Sequence, residues 1–254
     1  MPLEPYVDRL EPKNEDVVIW RFMSAAKFRD LMTSSELYFA RADRFNDQSE
    51  GLPPEEYLPL LGFGLSDEQQ IADKIGFLAE QREGFFISCW NLFVEETAAM
   101  WKEYGKDGVA ICSRYSLLKS FLSDTSERAY LGLVQYGSKH LTGWNIFRFI
   151  TTKRLMYAHE KEVRAFLWRP DCAGRDRRVD ANNRFHDRPC TPPPPHIPQA
   201  VRLIVDLQIL LTGVVISPIA PATYLSDVKK LIHLHGYSIP VRTSELMRFK
   251  NFLP

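Results

Sequence analysis

Carboxylates and basic groups concentrate in the segment KRLMYAHEKEVRAFLW, residues 153–168, which then becomes apolar. If the chain from Glu160 onward is a β-strand, Glu160, Glu162 and Arg164 lie on one face, because side chains alternate along a strand. A helix would also bring Glu160 and Arg164 together, but the β-branched and aromatic residues that follow favour a strand. Such a face is suited to stabilising positive charge on a substrate, or it is a solvated sheet edge where Arg164 neutralises the glutamates.

Two other polar side chains interrupt apolar segments that predict buried strands. Arg21 lies in VVIWRF, where it needs an anionic partner, either a carboxylate such as Glu160 or Glu162 or a ligand phosphate. Ser88 lies in EGFFISCW with aromatic residues on its own face. Its hydroxyl either bonds a neighbouring backbone carbonyl or lies beneath a flat ligand ring.

Two further groups are candidates for ligand binding. Asn46, Asp47 and Glu50 belong to a turn-rich loop, and the simpler interpretation is an Asx-type turn with a surface carboxylate. Trp101 and Tyr104 have helical spacing, which is more typical of packing in a core than of lining a pocket.

The composition and the hydropathy of the chain exclude some classes of partner. The chain has 32 basic and 32 acidic residues, so no global field attracts it to nucleic acid or to an anionic membrane. No apolar run is long enough to span a bilayer, and the acidic, proline-bearing start differs from a signal peptide. We therefore expect a cytoplasmic protein without a membrane partner.

Several kinds of site lack their sequence signatures. The four cysteines and six histidines show no spacing typical of metal ligands, so free thiols and no metal are expected. The chain also lacks a Walker loop, a G-x-G-x-x-G fingerprint and a G-x-S-x-G elbow, which removes several large enzyme classes.

Short strands alternate with helices, which predicts one α+β domain with a mixed or mainly antiparallel central sheet, either continuous or split into two small sheets facing a cleft. Strands are predicted at 17–22, 36–40, 83–90, 108–113, 129–136, 160–168, 202–207, 213–217 and 238–242. Helices are predicted from residue 24, at 55–61, 67–81 and 96–104, around 144–152, and at 222–235.

The domain is predicted over residues 17–246, between a polar leader at 1–16 and a tail at 247–254. Residues 171–198 are rich in arginine and end in four consecutive prolines, which predicts a long surface loop. This loop is either a mobile flap or, more simply, an insertion.

A set of short motifs occurs in order along the chain: WRF at residue 20, FxxADRFNDQSEG at 39, FFISCW at 85, MWKEYGKDGVAI at 100, Lys153, YAHEKEVR at 157 and VVISP at 214. The set resembles the bacterial family catalogued as domain of unknown function 2971, over about Val17 to Leu246. One departure is Gln48 and Ser49, where that family usually has a proline and an aromatic residue. The resemblance implies no established activity.

A looser resemblance is to the Arg-Ser-Glu class of ADP-ribosyltransferases, which carry an arginine on a first strand, a serine on an aromatic strand and Glu-x-Glu on a later strand. It implies NAD as co-substrate, with Arg21 binding the phosphates or adenosine ribose and Ser88 positioning the nicotinamide ribose. It also implies that Glu162 bonds the ribose hydroxyls and that Glu160 orients or deprotonates the acceptor.

Two functions of different classes follow from these residues. One is an NAD-dependent ADP-ribosyltransferase-like enzyme, a toxin or phage-defence effector with a macromolecular acceptor. The other is a non-enzymatic module that binds a nucleotide or a peptide in a polar cleft formed by Arg21, Asn46, Asp47, Trp101 and Glu162. Convergence of Arg21, Ser88 and Glu162 on one pocket is the geometric condition for the enzyme. A nucleic-acid partner would require a basic groove, which the zero net charge does not favour.

Overall fold

The computed structural model describes residues 3–6, 8–53, 57, 68–139, 141, 145–169, 177–179, 185–187 and 198–246. The helices in these ranges are α1 (Ala25–Ser34), α2 (Glu68–Gln81), α3 (Ala98–Tyr104), α4 (Tyr115–Ser123), α5 (Ile146–Ile150), α6 (Leu207–Leu210) and α7 (Tyr224–Leu234). The strands are β1 (Val18–Met23), β2 (Glu36–Arg41), β3 (Phe85–Leu92), β4 (Val109–Arg114), β5 (Ala129–Leu133), β6 (Gln135–Tyr136), β7 (Thr152–Lys153), β8 (Glu162–Trp168), β9 (Arg177–Val179), β10 (Phe185–Asp187), β11 (Ala200–Ile204), β12 (Gly213–Ile216) and β13 (Val241–Thr243).

Nine strands form the central sheet. Their order is β11-β2-β3-β1-β4-β12-β13, and β8 and then β5 are attached through β3. Within this sheet β12 and β13 pair in parallel, and the other described pairings are antiparallel. The predicted α+β domain with a mixed, mainly antiparallel sheet is therefore confirmed. None of the described helices has the length and apolar character needed to cross a bilayer.

The sheet opens beside β3. One edge of β3 pairs with β8 over its length, whereas the other edge pairs with β2 at Phe86 and Ile87 and with β1 at Asn91 and Leu92. Strands β1 and β2 therefore diverge, and residues 88–90 have no partner strand between them. We call this gap the fork. The sheet is continuous through β3 and open at the fork.

The two faces of the sheet have different environments. On β8, Val163, Ala165 and Leu167 join the main hydrophobic core, which also contains apolar side chains of α1, α4, α6 and α7. Because side chains alternate along a strand, Glu162 and Arg164 lie on the opposite face. We call these the core face and the charged face. On the charged face, two aromatic clusters built around Trp101 and Phe166 flank the ionic residues.

Local signals explain several element boundaries. The Ser24 hydroxyl accepts a hydrogen bond from the Lys27 amide and caps α1, and α3 ends before Gly105, both as predicted. The predicted strand 129–136 is two strands, because the Val134 amide still bonds the Glu162 carbonyl while the Gln135 amide bonds the Thr151 carbonyl beside β7. Helix α4 was not predicted.

Segments outside the sheet also differ from the predictions. The leader lies along β5, where the Glu4 amide bonds the Ala129 carbonyl and the Leu133 amide bonds the Leu10 carbonyl. Within the predicted loop at 171–198, β9 and β10 pair in antiparallel orientation. The rest of that loop, the predicted tail and all of the predicted helix at 55–61 except residue 57 lie outside the described residues.

Candidate functional site

Five charged side chains meet on the charged face. The Lys153 Nζ atom lies 2.6 Å from Glu160 Oε2, 2.8 Å from Glu162 Oε2 and 3.6 Å from Glu50 Oε1. The Arg164 Nε atom lies 2.7 Å from Glu162 Oε1, and its Nη2 atom pairs with Glu50. We call these five residues the charged network. Their side chains are at most 10% exposed, so the network is largely shielded from water.

Glu160 reaches the network by a route that the sequence did not predict. It ends a 3₁₀ helix, Leu155–Glu160, and Lys161 with φ 43° then turns the chain into β8. The prediction that Glu160 and Glu162 alternate on one strand is therefore wrong. They approach each other because both bind Lys153, and the Asn91 side chain holds the turn by donating to the Glu160 carbonyl at 2.9 Å.

Glu50 comes from the turn-rich loop after β2. The Arg82 guanidinium holds this loop inward by donating to the carbonyls of Gln48 at 2.8 Å and Glu50 at 2.9 Å. Gly51 has φ 79°, and a Cβ atom there would lie only 3.0 Å from the Ile150 side chain. The sequence interpretation of Glu50 as a surface carboxylate is therefore wrong. The glycine that follows it was the one local signal of an inward turn.

The charged network keeps Glu162 ionised. Burial alone would raise the pKa of this carboxyl, but the charges of Arg164 and Lys153 outweigh burial and lower the pKa to about 2. Glu50 behaves differently, because burial and the neighbouring Glu162 charge raise its pKa despite Arg164. Three carboxylates face two cations, which gives the fully ionised network a formal charge of −1.

Tyr104 connects the buried Glu160 of the charged network to the surface. The Tyr104 hydroxyl donates to Glu160 Oε1 at 2.9 Å, and Tyr104 is 43% exposed. Of the residues predicted to bind a cofactor, Tyr104 is the one whose side chain bonds a predicted catalytic carboxylate.

Arg21 lies in the fork and does not join the network. Its guanidinium donates to the Tyr38 carbonyl of β2 at 3.2 Å and lies 6.0 Å from the centre of the Trp90 ring. Burial lowers the pKa of this half-buried guanidinium. No carboxylate in the described part of the chain pairs with it, so the proposed pairing with Glu160 or Glu162 is wrong. Those carboxylates are occupied by Lys153 and Arg164.

One residue of β3 at the fork, Cys89, is accessible to solvent. Cys89 is partly exposed, although its neighbours on the charged face of β3, Ile87 and Asn91, are 2% and 7% exposed. Cys89 lies opposite Arg164 in the β3–β8 register, so this opening adjoins the charged network. Burial and the Glu162 charge raise the pKa of the Cys89 thiol, which favours its neutral form.

Ser88 lies on the core face. It is opposite Ala165 in the β3–β8 register, is fully buried, and its hydroxyl has no hydrogen-bond partner in the described structure. Glu162 projects from the other face of the sheet. Arg21, Ser88 and Glu162 therefore occupy three adjacent strands but do not converge on one pocket.

The remaining candidates are separate from these residues. Trp101 is 3% exposed and donates to Glu96 Oε2 at 3.1 Å, so it packs in the core, as the simpler interpretation predicted. Asn46 is exposed in its loop. Asp47 forms the predicted Asx turn by accepting from the Ser49 amide at 3.0 Å, and it also pairs with Arg154 at 2.7 Å.

Comparisons with known proteins identify no family for this chain. No protein-family model, no curated protein and no solved structure matches the chain. The two resemblances based on the motifs therefore stay predictions.

Proposed function

We propose that this protein binds a nucleotide-type ligand in the fork, with Arg21 as the anchor for phosphate. The observation that carries the proposal is the state of the Arg21 guanidinium. It is half-buried, it donates to a single backbone carbonyl, and no carboxylate of the described residues neutralises it. A desolvated and uncompensated charge is costly, and a bound anion offsets that cost.

The surroundings of Arg21 suit a phosphate. A guanidinium presents planar pairs of N–H groups that match two phosphate oxygens. The backbone of residues 88–90 has no ladder partner on the fork side, and Ser88 Oγ and Trp90 Nε1 are buried polar atoms without a partner among the described residues. Ser88 and Trp90 are both 0% exposed, so these two atoms do not line the open part of the fork, and the recognition of phosphate depends on Arg21.

The charged network does not line the same pocket as Arg21. Arg21 alternates along β1 with Ile19 and Met23, which join the main hydrophobic core, so it lies on the core face, whereas the Glu162 side chain lies on the charged face and is 1% exposed. A ligand anchored at Arg21 is therefore recognised through its phosphate. NAD carries such phosphates, so it is the first ligand to test.

Replacing Arg21 with glutamine is expected to weaken NAD binding by about tenfold to a hundredfold, because a hydrogen bond to a charged group contributes about 1.5–3 kcal/mol. Titration calorimetry with NAD, ADP-ribose and nicotinamide measures the effect. The affinity for ADP-ribose is expected to fall by the same factor. Nicotinamide carries no phosphate, so its affinity should not change. Arg21→Lys is expected to recover part of the affinity, since it keeps the charge but not the planar donors.

The matched control is Arg169→Gln, which removes a half-buried arginine that pairs with Glu127 instead. Its NAD affinity should equal that of the wild type. Unchanged binding by Arg21→Gln, or no binding of any phosphate-bearing ligand by the wild type, would overturn the proposal.

A second candidate function is ADP-ribosyl transfer by a toxin or defence effector. Arg21, Ser88 and Glu162 do not meet the geometric condition for it, because they do not converge on one pocket. The observation in its favour is the ionised state of Glu162. In this reaction the bond between ribose C1′ and the nicotinamide nitrogen breaks, and nicotinamide leaves with the bonding pair. An acceptor nucleophile then bonds C1′ and loses its proton to Glu160 or solvent. A fixed carboxylate stabilises the positive ribose in between. Ser88, on the core face, is removed from this mechanism.

Glu162→Gln is expected to reduce nicotinamide release from NAD by about a hundredfold, the usual effect of losing one charge-stabilising group. Release is measured by chromatography with cell lysate supplied as a source of acceptors. The control Glu127→Gln alters a surface ion pair and should keep full activity. Thermal unfolding must show that each variant is folded at the assay temperature. If the wild type binds NAD but releases no nicotinamide, ADP-ribosyl transfer is overturned and the binding function is retained.

A further inference from the structure

We propose that Glu103, His159 and Glu160 bind a divalent transition-metal ion, with Zn²⁺ as the first ion to test. Glu103 lies on the last turn of α3, and His159 and Glu160 end the 3₁₀ helix that precedes β8. Each side chain offers one ligand atom, and the three atoms lie within 4.8 Å of one another. Glu103 is far in sequence from the adjacent residues His159 and Glu160, which is why the sequence showed no metal-ligand spacing.

The separation of the ligand atoms is close to that of a coordinated ion. His159 Nε2 lies 3.7 Å from Glu103 Oε2. Ligands about 2.0–2.1 Å from a tetrahedral zinc ion are about 3.3–3.4 Å apart. The three ligand atoms lie within 4.8 Å of one another, so the exposed Glu103 and His159 side chains must rotate toward Glu160 to reach that spacing. Since Glu103 and His159 are both exposed, water can fill a fourth position.

The His159 ring is held in the orientation that a metal ligand needs. Its Nδ1 atom lies 3.2 Å from the Met156 carbonyl oxygen, which can only accept a hydrogen bond. A hydrogen bond to that oxygen uses the Nδ1–H group, and Nε2 is the ring atom that faces Glu103. Metal-binding histidines are commonly fixed by this contact of the second ring nitrogen.

Charge also favours a divalent cation here. The charged network carries a formal charge of −1, and the adjacent Glu103 carboxylate brings the total to −2. Glu160 Oε2 faces Lys153, but Oε1 bonds the Tyr104 hydroxyl alone among the described residues and keeps a lone pair for an ion. One imidazole with two carboxylates suits zinc and related ions better than Mg²⁺ or Ca²⁺.

The metal site shares Glu160 with the charged network, but phosphate binding at Arg21 uses none of its three residues, so the two can be tested separately. The test is calorimetric titration of the chelator-treated full chain with Zn²⁺, and visible spectroscopy with Co²⁺. His159→Gln and Glu103→Gln are each expected to weaken binding by about tenfold or more, since even residues that only orient a ligand cost that much. Both positions are exposed, so these variants should remain folded.

The matched control is His233→Gln, which removes an exposed histidine of α7 away from the site and should keep full affinity. Three results would overturn the proposal: no saturable binding of Zn²⁺ or Co²⁺, affinity unchanged by His159→Gln, or equal loss in His233→Gln. A cobalt spectrum with strong thiolate charge-transfer bands would also overturn it, because the ion would then be bound by cysteine.

Discussion

Replacing Arg164 with methionine is expected to lower the free energy of unfolding by about 3–5 kcal/mol, the usual cost of breaking a buried ion pair. The Arg164 side chain is fully buried, pairs with Glu162 and Glu50, and donates to the Ile150 carbonyl. Methionine fills most of the same volume, so the loss arises mainly from charge. Three carboxylates, those of Glu50, Glu160 and Glu162, would remain with Lys153 as their one cation in the charged network. Urea unfolding at pH 7 measures the effect.

Arg202→Met is the matched control, because Arg202 is 38% exposed and pairs with Asp30 on the surface. It is expected to cost less than about 1 kcal/mol. Adding Glu50→Gln to Arg164→Met should recover part of the stability, since it removes one uncompensated charge. A loss in Arg164→Met no greater than that of Arg202→Met would show that the charged network contributes little to folding.

The stability advantage of the wild type over Glu162→Gln is expected to be about 3 kcal/mol at pH 7 and to shrink as the pH falls from about 4.5 toward 2. The folded-state pKa of Glu162 is about 2, against an ordinary value of 4.5. A lowered carboxyl pKa gives stability that is present above the ordinary pKa and is lost as the pH falls through the folded pKa. Each unit of difference corresponds to about 1.4 kcal/mol.

Glu50 has the opposite sign. Its raised pKa means that its ionisation lowers stability at neutral pH, so its protonation offsets part of the loss on acidification. Urea unfolding of both proteins between pH 7 and pH 3 measures the combined effect. Glu127→Gln, which alters a partly exposed pair, should show little of this pH dependence. A constant difference between wild type and Glu162→Gln would contradict an ionised Glu162 stabilised by Arg164 and Lys153.

Local patterns predicted much of the fold. Alternation and β-branched residues located most strands within a few positions, and the Ser24 cap and Gly105 located the ends of two helices. These signals succeed because they depend on residues within one turn or one strand. Helix α4 and the division between β5 and β6 were missed. In the second case the chain changes its hydrogen-bond partner from β8 to β7, which local sequence does not record.

The site was predicted less completely. The segment with Glu160, Glu162 and Arg164 was recognised as a place where charges meet, and Arg21 as a charge among apolar neighbours. The sequence could not show that Lys161 takes a left-handed conformation, that the Glu50 loop folds inward, or that Ser88 faces the core. Each depends on packing against residues that are distant along the chain.

The sequence by itself determined the α+β class and the residue types that carry charge into apolar strands, because both follow from local periodicity and the cost of burying polar groups. Tertiary structure alone decided which charges neutralise each other. In the folded protein, Glu162 pairs with Lys153 and Arg164, whereas Arg21 in the fork has no carboxylate partner among the described residues. Strand order and register decide such pairings, because moving a strand by one residue reverses the face of every side chain on it.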